Sequence, residues 1–194
     1  MPQDEMRRKK NDALVHKGQL LDKAGIARAL RSIAQKVVER HSDHTNIVLL
    51  GIRTAGVPLA RRLQAHIREQ TAIDVPCGVM DITLYRDDVF MGLPRPEVGP
   101  TELPCPIHGK SVILVDDVLF TGRTIRAALD ELIEFGRPRC VQLAVLVDRG
   151  HRELPIQADF VGLSVQTACE ETVRVMLEEL GDSDQVALCE KTAS

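Results

Sequence analysis

The spacing of apolar residues along the chain predicts helices that alternate with short strands. Apolar residues recur at helical spacing over 22–40, and Asp22 is placed to cap the start of that helix. A second amphipathic helix begins near Ala55, and a third covers 123–135, where Gly136 provides a stop signal. Three short apolar runs indicate buried strands: 46–50, 111–115 and 141–147.

Strands that alternate with helices are typical of a mostly parallel sheet covered on both faces. We therefore predict an α/β fold with a five-stranded sheet flanked by helices. The segment 85–109 is rich in Pro and Gly and shows no periodicity, so we expect a flexible loop there. A strand or hairpin is predicted just before it, at 75–84. Residues 1–20 are polar and of mixed charge and are predicted to be a flexible tail, which leaves 21–194 as a single domain.

Composition narrows the classes of function. With 3% aromatic residues and no Trp, a stacking platform for single-stranded nucleic acid is not expected, and a net charge of −3 gives no overall attraction to polyanions. The five cysteines are widely spaced without a CxxC pair, which favours reduced thiols in a cytoplasmic protein over a zinc site or a disulfide framework. No signal core follows the first residues and no apolar run approaches transmembrane length, so we expect no membrane partner.

Ligands of parallel α/β sheets bind beyond the carboxyl ends of the strands. That rule points to the loops 51–56, 116–124 and 148–152. The second of these loops is the most informative, because a buried strand runs into two adjacent carboxylates and then into the start of a helix. The full segment 112–124 reads VILVDDVLFTGRT.

The residues of this segment suit a phosphorylated sugar. A helix N-terminus offers unpaired backbone N–H groups and the positive end of the helix dipole. Gly122 permits a close approach of the backbone, while hydroxyl groups and a guanidinium add donors for a phosphate. Two carboxylates just upstream accept hydrogen bonds from a sugar diol. The donors are Thr121, Arg123 and Thr124, and the acceptors are Asp116 and Asp117.

Single residues of the segment are less specific than the whole. Taken alone, Thr121 and Asp117 fit an ordinary strand end with a helix N-cap equally well. Neither glycine motif for nucleotides, GxGxxG or GxxxxGK[ST], fits the segment. The complete pattern therefore favours a phosphate monoester over a dinucleotide.

VILVDDVLFTGRT closely resembles the phosphoribosyl pyrophosphate (PRPP) signature of type I phosphoribosyltransferases. Further segments extend the resemblance to about 25–190 and are similar to the PyrR family, whose members attenuate the pyrimidine operon and act as uracil phosphoribosyltransferases. The resemblance implies the type I phosphoribosyltransferase fold, with a small hood built from 75–109 and C-terminal pieces. The segments are GIRTAGVPLAR at 51–61, MDITLYRDD at 80–88, QLAVLVDRGHRELPI at 142–156 and ADFVG at 158–162.

The resemblance implies a reaction in which uracil and PRPP give UMP and pyrophosphate, with Mg²⁺ as the cofactor. Arg53 and Thr54 would belong to a pyrophosphate loop, and Asp116 and Asp117 would meet the ribose hydroxyls directly or through Mg²⁺. The 5-phosphate would be held by Thr121, Gly122, Arg123 and Thr124.

The long loop would close over the substrates and exclude water, which protects PRPP from hydrolysis. Arg86, at the base of this loop, is the candidate to neutralise the departing pyrophosphate. Asp148 and Arg149 follow the third buried strand, where the uracil ring would lie. Two ordinary interpretations stand beside these roles: Arg53 as a solvated loop charge, and Arg86 as part of a surface charge cluster.

Members of the PyrR family also bind the leader RNA of the pyrimidine operon, with UMP promoting the binding. Arg28 and Arg31 on the first predicted helix, together with Arg152, are the candidate RNA contacts, although an ordinary solvated helix face explains the helix positions equally well. The chain departs from the family pattern at several positions linked to RNA, and at one position of the pyrophosphate loop. The former are Ser32, Gln35, Gln157, Leu163 and the run 167–171; the latter is Ala55, where arginine is usual.

The leading hypothesis is a uracil phosphoribosyltransferase of the PyrR type that also acts as a UMP-dependent RNA-binding attenuator. One alternative is a nucleotide-sensing RNA-binding regulator with little catalytic activity. Another is a phosphoribosyltransferase for a different base, such as a purine. The resemblance further implies a homodimer or a higher homo-oligomer.

Overall fold

The computed structural model describes residues 14–82 and 100–191. In these two ranges the chain forms strands, α-helices and two short 3₁₀ helices, His44–Asn46 and Glu178–Leu180. In chain order the main elements are β1 (Leu14–Asp22), α1 (Lys23–Arg40), β2 (Ile47–Ile52), α2 (Gly56–Thr71), β3 (Cys77–Met80), β4 (Ser111–Leu119), α3 (Arg123–Glu134), β5 (Cys140–Asp148), β6 (Phe160–Ser164), β7 (Glu171–Met176) and β8 (Gln185–Lys191).

A five-stranded sheet forms the centre of the molecule, in the order β3-β2-β4-β5-β6. Each neighbouring pair is parallel, so the predicted sheet is confirmed. Successive residues of its strands face opposite sides. In β2, Leu49 packs in the core that α1 and α2 cover, whereas Leu50 packs in the core that α3 covers. Because both faces are buried, the strands appear in the sequence as continuous apolar runs.

The three predicted helices are confirmed as α1, α2 and α3. Asp22 caps α1 as expected, since its carboxylate accepts a hydrogen bond from the Gly25 amide at 2.6 Å. None of the helices in the described ranges combines the length and the apolar character needed to cross a membrane. The five cysteines are free thiols.

A second sheet is antiparallel and has the order β1-β8-β7. The predicted flexible tail over 1–20 is therefore wrong for residues 14–20, which lie in β1; residues 1–13 are outside the described ranges. No local pattern marks β1, because much of it is exposed and its partner β8 lies at the opposite end of the chain.

The prediction of which segments build the hood is only partly correct. Its C-terminal pieces form β7 and β8, but their sheet is completed by β1 and not by the segment 75–109. Residues 77–80 instead form the edge strand β3 of the central sheet. Val79 of this strand bridges Glu102 through two backbone hydrogen bonds of 3.0 and 2.8 Å. The part of the predicted flexible loop at 85–99, and the last two residues of the predicted strand or hairpin at 75–84, lie outside the described residues.

Candidate active site

Three loops meet at the carboxyl edge of the central sheet, where they join β2 to α2, β4 to α3 and β5 to β6. The first loop packs on the end of β4, since a Cβ atom added to Gly56 would lie 2.3 Å from the Val115 carbonyl oxygen. The second and third loops are joined because the amides of Glu153 and Leu154 donate to the Thr121 carbonyl at 3.0 and 3.2 Å. We call this surface the loop edge. It comprises residues 53–56, 116–124 and 148–154.

Two neighbouring carboxylates stand at the centre of the loop edge. Asp116 is buried and Asp117 is half-buried. The Asp117 amide donates to Asp116 Oδ1 at 2.9 Å, and the Val118 amide donates to Asp117 Oδ1 at 2.9 Å. Burial raises the pKa of Asp117 above its usual value, and hydrogen bonds from these neighbours partly oppose that shift. A cation or hydroxyl donors beside the pair would favour the ionised form, so the pair is suited to receive them.

The chain turns from these carboxylates into α3 at Gly122, whose φ of 93° lies in the left-handed region that favours glycine. The N-cap residue Gly122 has no side chain to bond the first turn of α3. Its first backbone N–H groups are therefore placed to bind an anion. The Arg123 amide makes a long contact of 3.4 Å to the Thr121 hydroxyl, and the Arg123 guanidinium pairs with Glu153 at 2.7 Å. Residues 121–124 thus form an anion-binding cradle, built mainly from backbone amides and threonine hydroxyls.

The first loop holds Arg53 and Thr54, which are joined by a cis peptide bond. It is closely packed, since a Cβ atom added to Gly51 would lie 2.6 Å from the Gly56 carbonyl oxygen. Both residues line a concave surface together with Arg61. The structure therefore places the two predicted pyrophosphate-loop residues in a depression whose charged lining is Arg53, Arg61, Glu102 and Glu179.

The third loop is braced by Arg152. Its Nη2 group donates to Asp148 Oδ2 at 2.5 Å and its Nη1 group donates to the Phe120 carbonyl at 2.7 Å. Its Nε group donates to the Ile156 carbonyl at 3.0 Å. Asp148 also accepts from the Gly150 amide at 2.9 Å. These bonds join the second and third loops; the predicted contact of Arg152 with RNA stays a prediction.

Arg149 forms one wall of the third loop and is 4% exposed. Its guanidinium donates to the Thr167 hydroxyl and to the Ala168 carbonyl, both at 3.1 Å. It also lies 4.1 Å from the centre of the Phe120 ring, in a cation–π contact. Burial lowers the pKa of Arg149 below its usual value. Sequence reasoning missed Phe120, because one aromatic residue in a loop gives no periodic signal, and it assigned 167–171 to RNA alone.

The remaining predicted residues are not brought to the loop edge by the described contacts. Arg28 and Arg31 lie on the exposed face of α1, where the structure gives neither side chain a hydrogen bond or ion pair with another described residue. Arg86 lies outside the described ranges. Sequence reasoning also gave no role to Asp81, whose side chain is 1% exposed and forms an ion pair with Arg53 at 3.2 Å. It is part of the quoted motif MDITLYRDD, which was the available signal.

Comparison with known proteins adds to this geometry. A family model described as the phosphoribosyl transferase domain matches residues 16–178. The chain is 52% identical to the bifunctional protein PyrR of Pelotomaculum thermopropionicum, over 90% of this chain and 96% of that protein. It is also 52% identical to the bifunctional protein PyrR of Thermus aquaticus, over 90% of this chain and 97% of that protein.

Solved structures show the same fold at lower identity. A hypoxanthine-guanine phosphoribosyltransferase of Bacillus anthracis aligns with a TM-score of 0.66 and 18% identity, covering 91% of this chain and 98% of that chain. A hypoxanthine phosphoribosyltransferase of Trypanosoma cruzi aligns with a TM-score of 0.69 and 14% identity, covering 91% of this chain and 98% of that chain. These likenesses confirm the predicted type I phosphoribosyltransferase fold. Together with the domain match and the close relatives, they show that the chain belongs to the PyrR family of phosphoribosyl transferase-domain proteins.

Proposed function

We propose that this protein is a cytoplasmic uracil phosphoribosyltransferase, which converts uracil and PRPP to UMP and pyrophosphate. The observation that carries the proposal is the start of α3 at Arg123, which the chain reaches from the Asp116–Asp117 pair through residues 118–122. The loop of Arg53 packs through Gly56 on the end of β4 beside it. Such a site offers partners to a phosphate, a sugar diol and a pyrophosphate in the order in which PRPP carries them.

Each part of PRPP has a partner at the loop edge. The 5-phosphate binds the backbone amides and hydroxyls of 121–124, where the helix dipole favours negative charge. The ribose hydroxyls face Asp116 and Asp117. The pyrophosphate group binds at Arg53 and Thr54.

Uracil lies against the wall formed by Phe120, which is 37% exposed, and by the buried guanidinium of Arg149, which backs the Phe120 ring at 4.1 Å. Asp148, held by Arg152, fixes the third loop so that this wall keeps its place. Arg86 keeps its predicted role at the departing pyrophosphate.

The chemistry needs charge stabilisation and no covalent nucleophile. The bond between the anomeric carbon and a pyrophosphate oxygen breaks while a bond to the uracil nitrogen forms, and the proton that this nitrogen carried is taken up by the departing pyrophosphate. Positive charge develops on the ribose and negative charge on the leaving group. Asp116 and Asp117 stabilise the ribose side, and Arg53 stabilises the leaving side. Preorganised groups of this kind lower the barrier because they need no reorientation during the reaction.

The donor set fits Mg²⁺ as the cofactor. Mg²⁺ is commonly held by one or two carboxylates plus phosphate oxygens of the substrate, and keeps several waters. Asp116 and Asp117 supply such carboxylates, and the raised pKa of Asp117 is the shift that a nearby cation would reverse. The ion would neutralise charge on the pyrophosphate group.

A panel of bases tests the proposal. Nucleotide formation is measured with PRPP, Mg²⁺ and uracil, hypoxanthine or guanine, and repeated with excess chelator. We expect UMP from uracil, no product from the purines, and loss of activity with chelator that added Mg²⁺ restores. A purine nucleotide as the main product would favour the phosphoribosyltransferase for another base, and no product from any base would favour the nucleotide-sensing regulator.

We also propose that the protein binds the leader RNA of its own pyrimidine operon, with UMP promoting the binding. The relatives are called bifunctional, and exposed cations on α1 offer a surface for RNA phosphates. Titration of that leader with and without UMP, at several salt concentrations, tests this. A steep loss of affinity with salt is expected. Equal affinity for an unrelated RNA would contradict it.

The proposed assembly is a homodimer or a higher homo-oligomer. Sedimentation equilibrium across a range of protein concentrations measures the mass directly. A mass of one chain, 21.5 kDa, at all concentrations would contradict this proposal.

A further inference from the structure

A buried network of carboxyl and hydroxyl groups lies behind Arg53, and the roles given above do not use it. Asp81 follows the edge strand β3 and pairs with Arg53 Nε at 3.2 Å, with the Asp81 side chain 1% exposed. The Arg53 amide also donates to the Met80 carbonyl at 2.9 Å. Both the backbone and the side chain of Arg53 are therefore fixed to the end of β3.

Thr101 joins Asp81 to α3. Its hydroxyl accepts a hydrogen bond from the Asp81 amide at 3.0 Å and donates one to Glu131 Oε1. Glu131 is 6% exposed, and its Oε2 atom has no hydrogen-bond partner in the part of the chain that the structure describes. Burial raises the pKa of Glu131; the Thr101 hydrogen bond partly opposes this, and the charge of Asp81 adds to it. The neutral carboxyl is thus favoured at Glu131, while Asp81 faces a guanidinium.

The geometry of the ion pair sets the direction of Arg53. A guanidinium is planar and rigid, so fixing its Nε edge also fixes where its two Nη groups point. The Arg53 side chain is 41% exposed, on the concave surface that it shares with Thr54 and Arg61. In the loop of residues 53–55 it is the one cationic residue, since Ala55 stands where the PyrR pattern has arginine.

We propose that Asp81 is a positioning residue, which holds the Arg53 guanidinium in the orientation that receives the pyrophosphate group of PRPP. Thr101 and Glu131 anchor Asp81 to α3, the helix whose start forms the phosphate cradle. One hydrogen-bonded frame thereby sets the distance between the groups that bind the two ends of PRPP. This inference rests on the proposed binding of pyrophosphate by Arg53.

The test is a double-mutant cycle on the full chain, with steady-state kinetics at saturating Mg²⁺. Asp81→Asn keeps the size of the side chain and removes its charge. We expect the KM for PRPP to rise about tenfold, which corresponds to about 1.4 kcal/mol, while the KM for uracil stays unchanged. Arg53→Gln should raise the KM for PRPP at least as much. In the Arg53→Gln background, Asp81→Asn should then have no further effect, because it acts through Arg53.

A matched control separates positioning from general loss of an ion pair. Arg40 and Asp159 form another pair of 3.2 Å, at the opposite edge of the central sheet. Asp159→Asn should leave both KM values at the wild-type level. A rise in the KM for PRPP equal to that of Asp81→Asn would overturn the positioning role.

The outcomes distinguish the inference from the proposed function. If Arg53→Gln leaves the KM for PRPP unchanged, the pyrophosphate role of Arg53 fails, and the inference fails with it. If Arg53→Gln raises that KM while Asp81→Asn does not, or if the two effects add, the positioning role alone is overturned. Should Asp81→Asn not fold, Arg53→Lys carries the test, because it keeps the charge but lacks the planar Nε edge. A KM for PRPP that rises about tenfold supports the proposal, and a wild-type value overturns it.

Discussion

The loop edge and the exposed face of α1 both carry charged residues that the sequence predicts to be functional. The loop edge is closely packed, whereas the face of α1 is open to solvent. At the loop edge, backbone approaches around Gly51 and Gly56 leave no room for a Cβ atom, and Arg53 is held by the buried carboxylate of Asp81. On α1, Arg28 and Arg31 are exposed. The loop edge is a preorganised site, whereas the helix face is a set of solvated charges.

The two proposed functions differ in how much they depend on fixed positions of the side chains. Transfer at an anomeric carbon depends on groups that are already in place when charge develops. Non-specific attraction to a polyanion requires only net positive charge within reach of the phosphates. Catalysis therefore depends on the positions of single atoms, whereas attraction to RNA depends on charge and is revealed by the affinity and its salt dependence.

The largest effect is expected from Asp117→Asn. The variant should fold normally and lose turnover by about 10²-fold or more, the scale of removing one key electrostatic group at a reacting centre. UMP formation measures the effect. Asp130→Asn, a change of the same charge on the exposed side of α3, should keep wild-type turnover. Unchanged rate and unchanged PRPP affinity in Asp117→Asn would contradict the ribose role.

The tight packing of the first loop predicts the next effect. In Gly56→Ala the new Cβ atom would lie 2.3 Å from the Val115 carbonyl oxygen, so the backbone must shift. We expect the free energy of unfolding to fall by about 1–3 kcal/mol, with a loss of turnover as the pyrophosphate loop moves. Gly18→Ala is the control, since no atom lies within 4 Å of its added Cβ. Equal stability of the two variants in chemical denaturation would show that the loop is not tightly held.

The double variant Arg28→Gln with Arg31→Gln tests whether the exposed face of α1 binds RNA. If both side chains contact RNA phosphates, the slope of log affinity against log salt should fall by about two, and turnover should not change. Arg68→Gln with Arg137→Gln, an equal charge change at other exposed positions, should leave the slope as in the wild type. An unchanged slope in the first variant would remove α1 from the RNA surface.

The smallest effect concerns pH and the buried carboxyl of Glu131. Its pKa in the folded protein lies above the usual 4.5, so folding favours the protonated form. The unfolded chain releases this proton first as pH rises, and the stability contributed by the neutral carboxyl is lost as pH rises through the folded pKa. Glu131→Gln lacks this loss, so its midpoint of thermal unfolding should rise relative to that of the wild type as the pH increases above about 4.5.

The exposed residue Glu134 on the same helix provides the control for that measurement. Glu134→Gln changes an exposed side chain and leaves Glu131 in place, so its midpoint of thermal unfolding should follow that of the wild type across the whole pH range. Parallel curves for Glu131→Gln and the wild type would mean that Glu131 is ionised in the folded protein.

Local patterns in the sequence predict most of the fold. The helices and the buried parallel strands have a period or a continuous apolar run that reflects their burial, and the motif 112–124 places the carboxylates and the cradle together. β1 is missed because its partner β8 is distant in the chain. The pairing of Asp81 with Arg53 is missed because it depends on the register that aligns Ile52 with Met80. Arg152 is assigned to RNA since its charge is visible in the sequence and its internal partners are not.

We propose that the loop edge transfers phosphoribose from PRPP to uracil, and a single-turnover experiment tests this proposal directly. Single-turnover reactions with enzyme in excess over labelled PRPP, with uracil and Mg²⁺, report UMP and pyrophosphate independently of product release. We expect equal amounts of both products from the wild type and a strongly slowed appearance of both from Asp117→Asn. Pyrophosphate without UMP, or no product from the wild type, would contradict it.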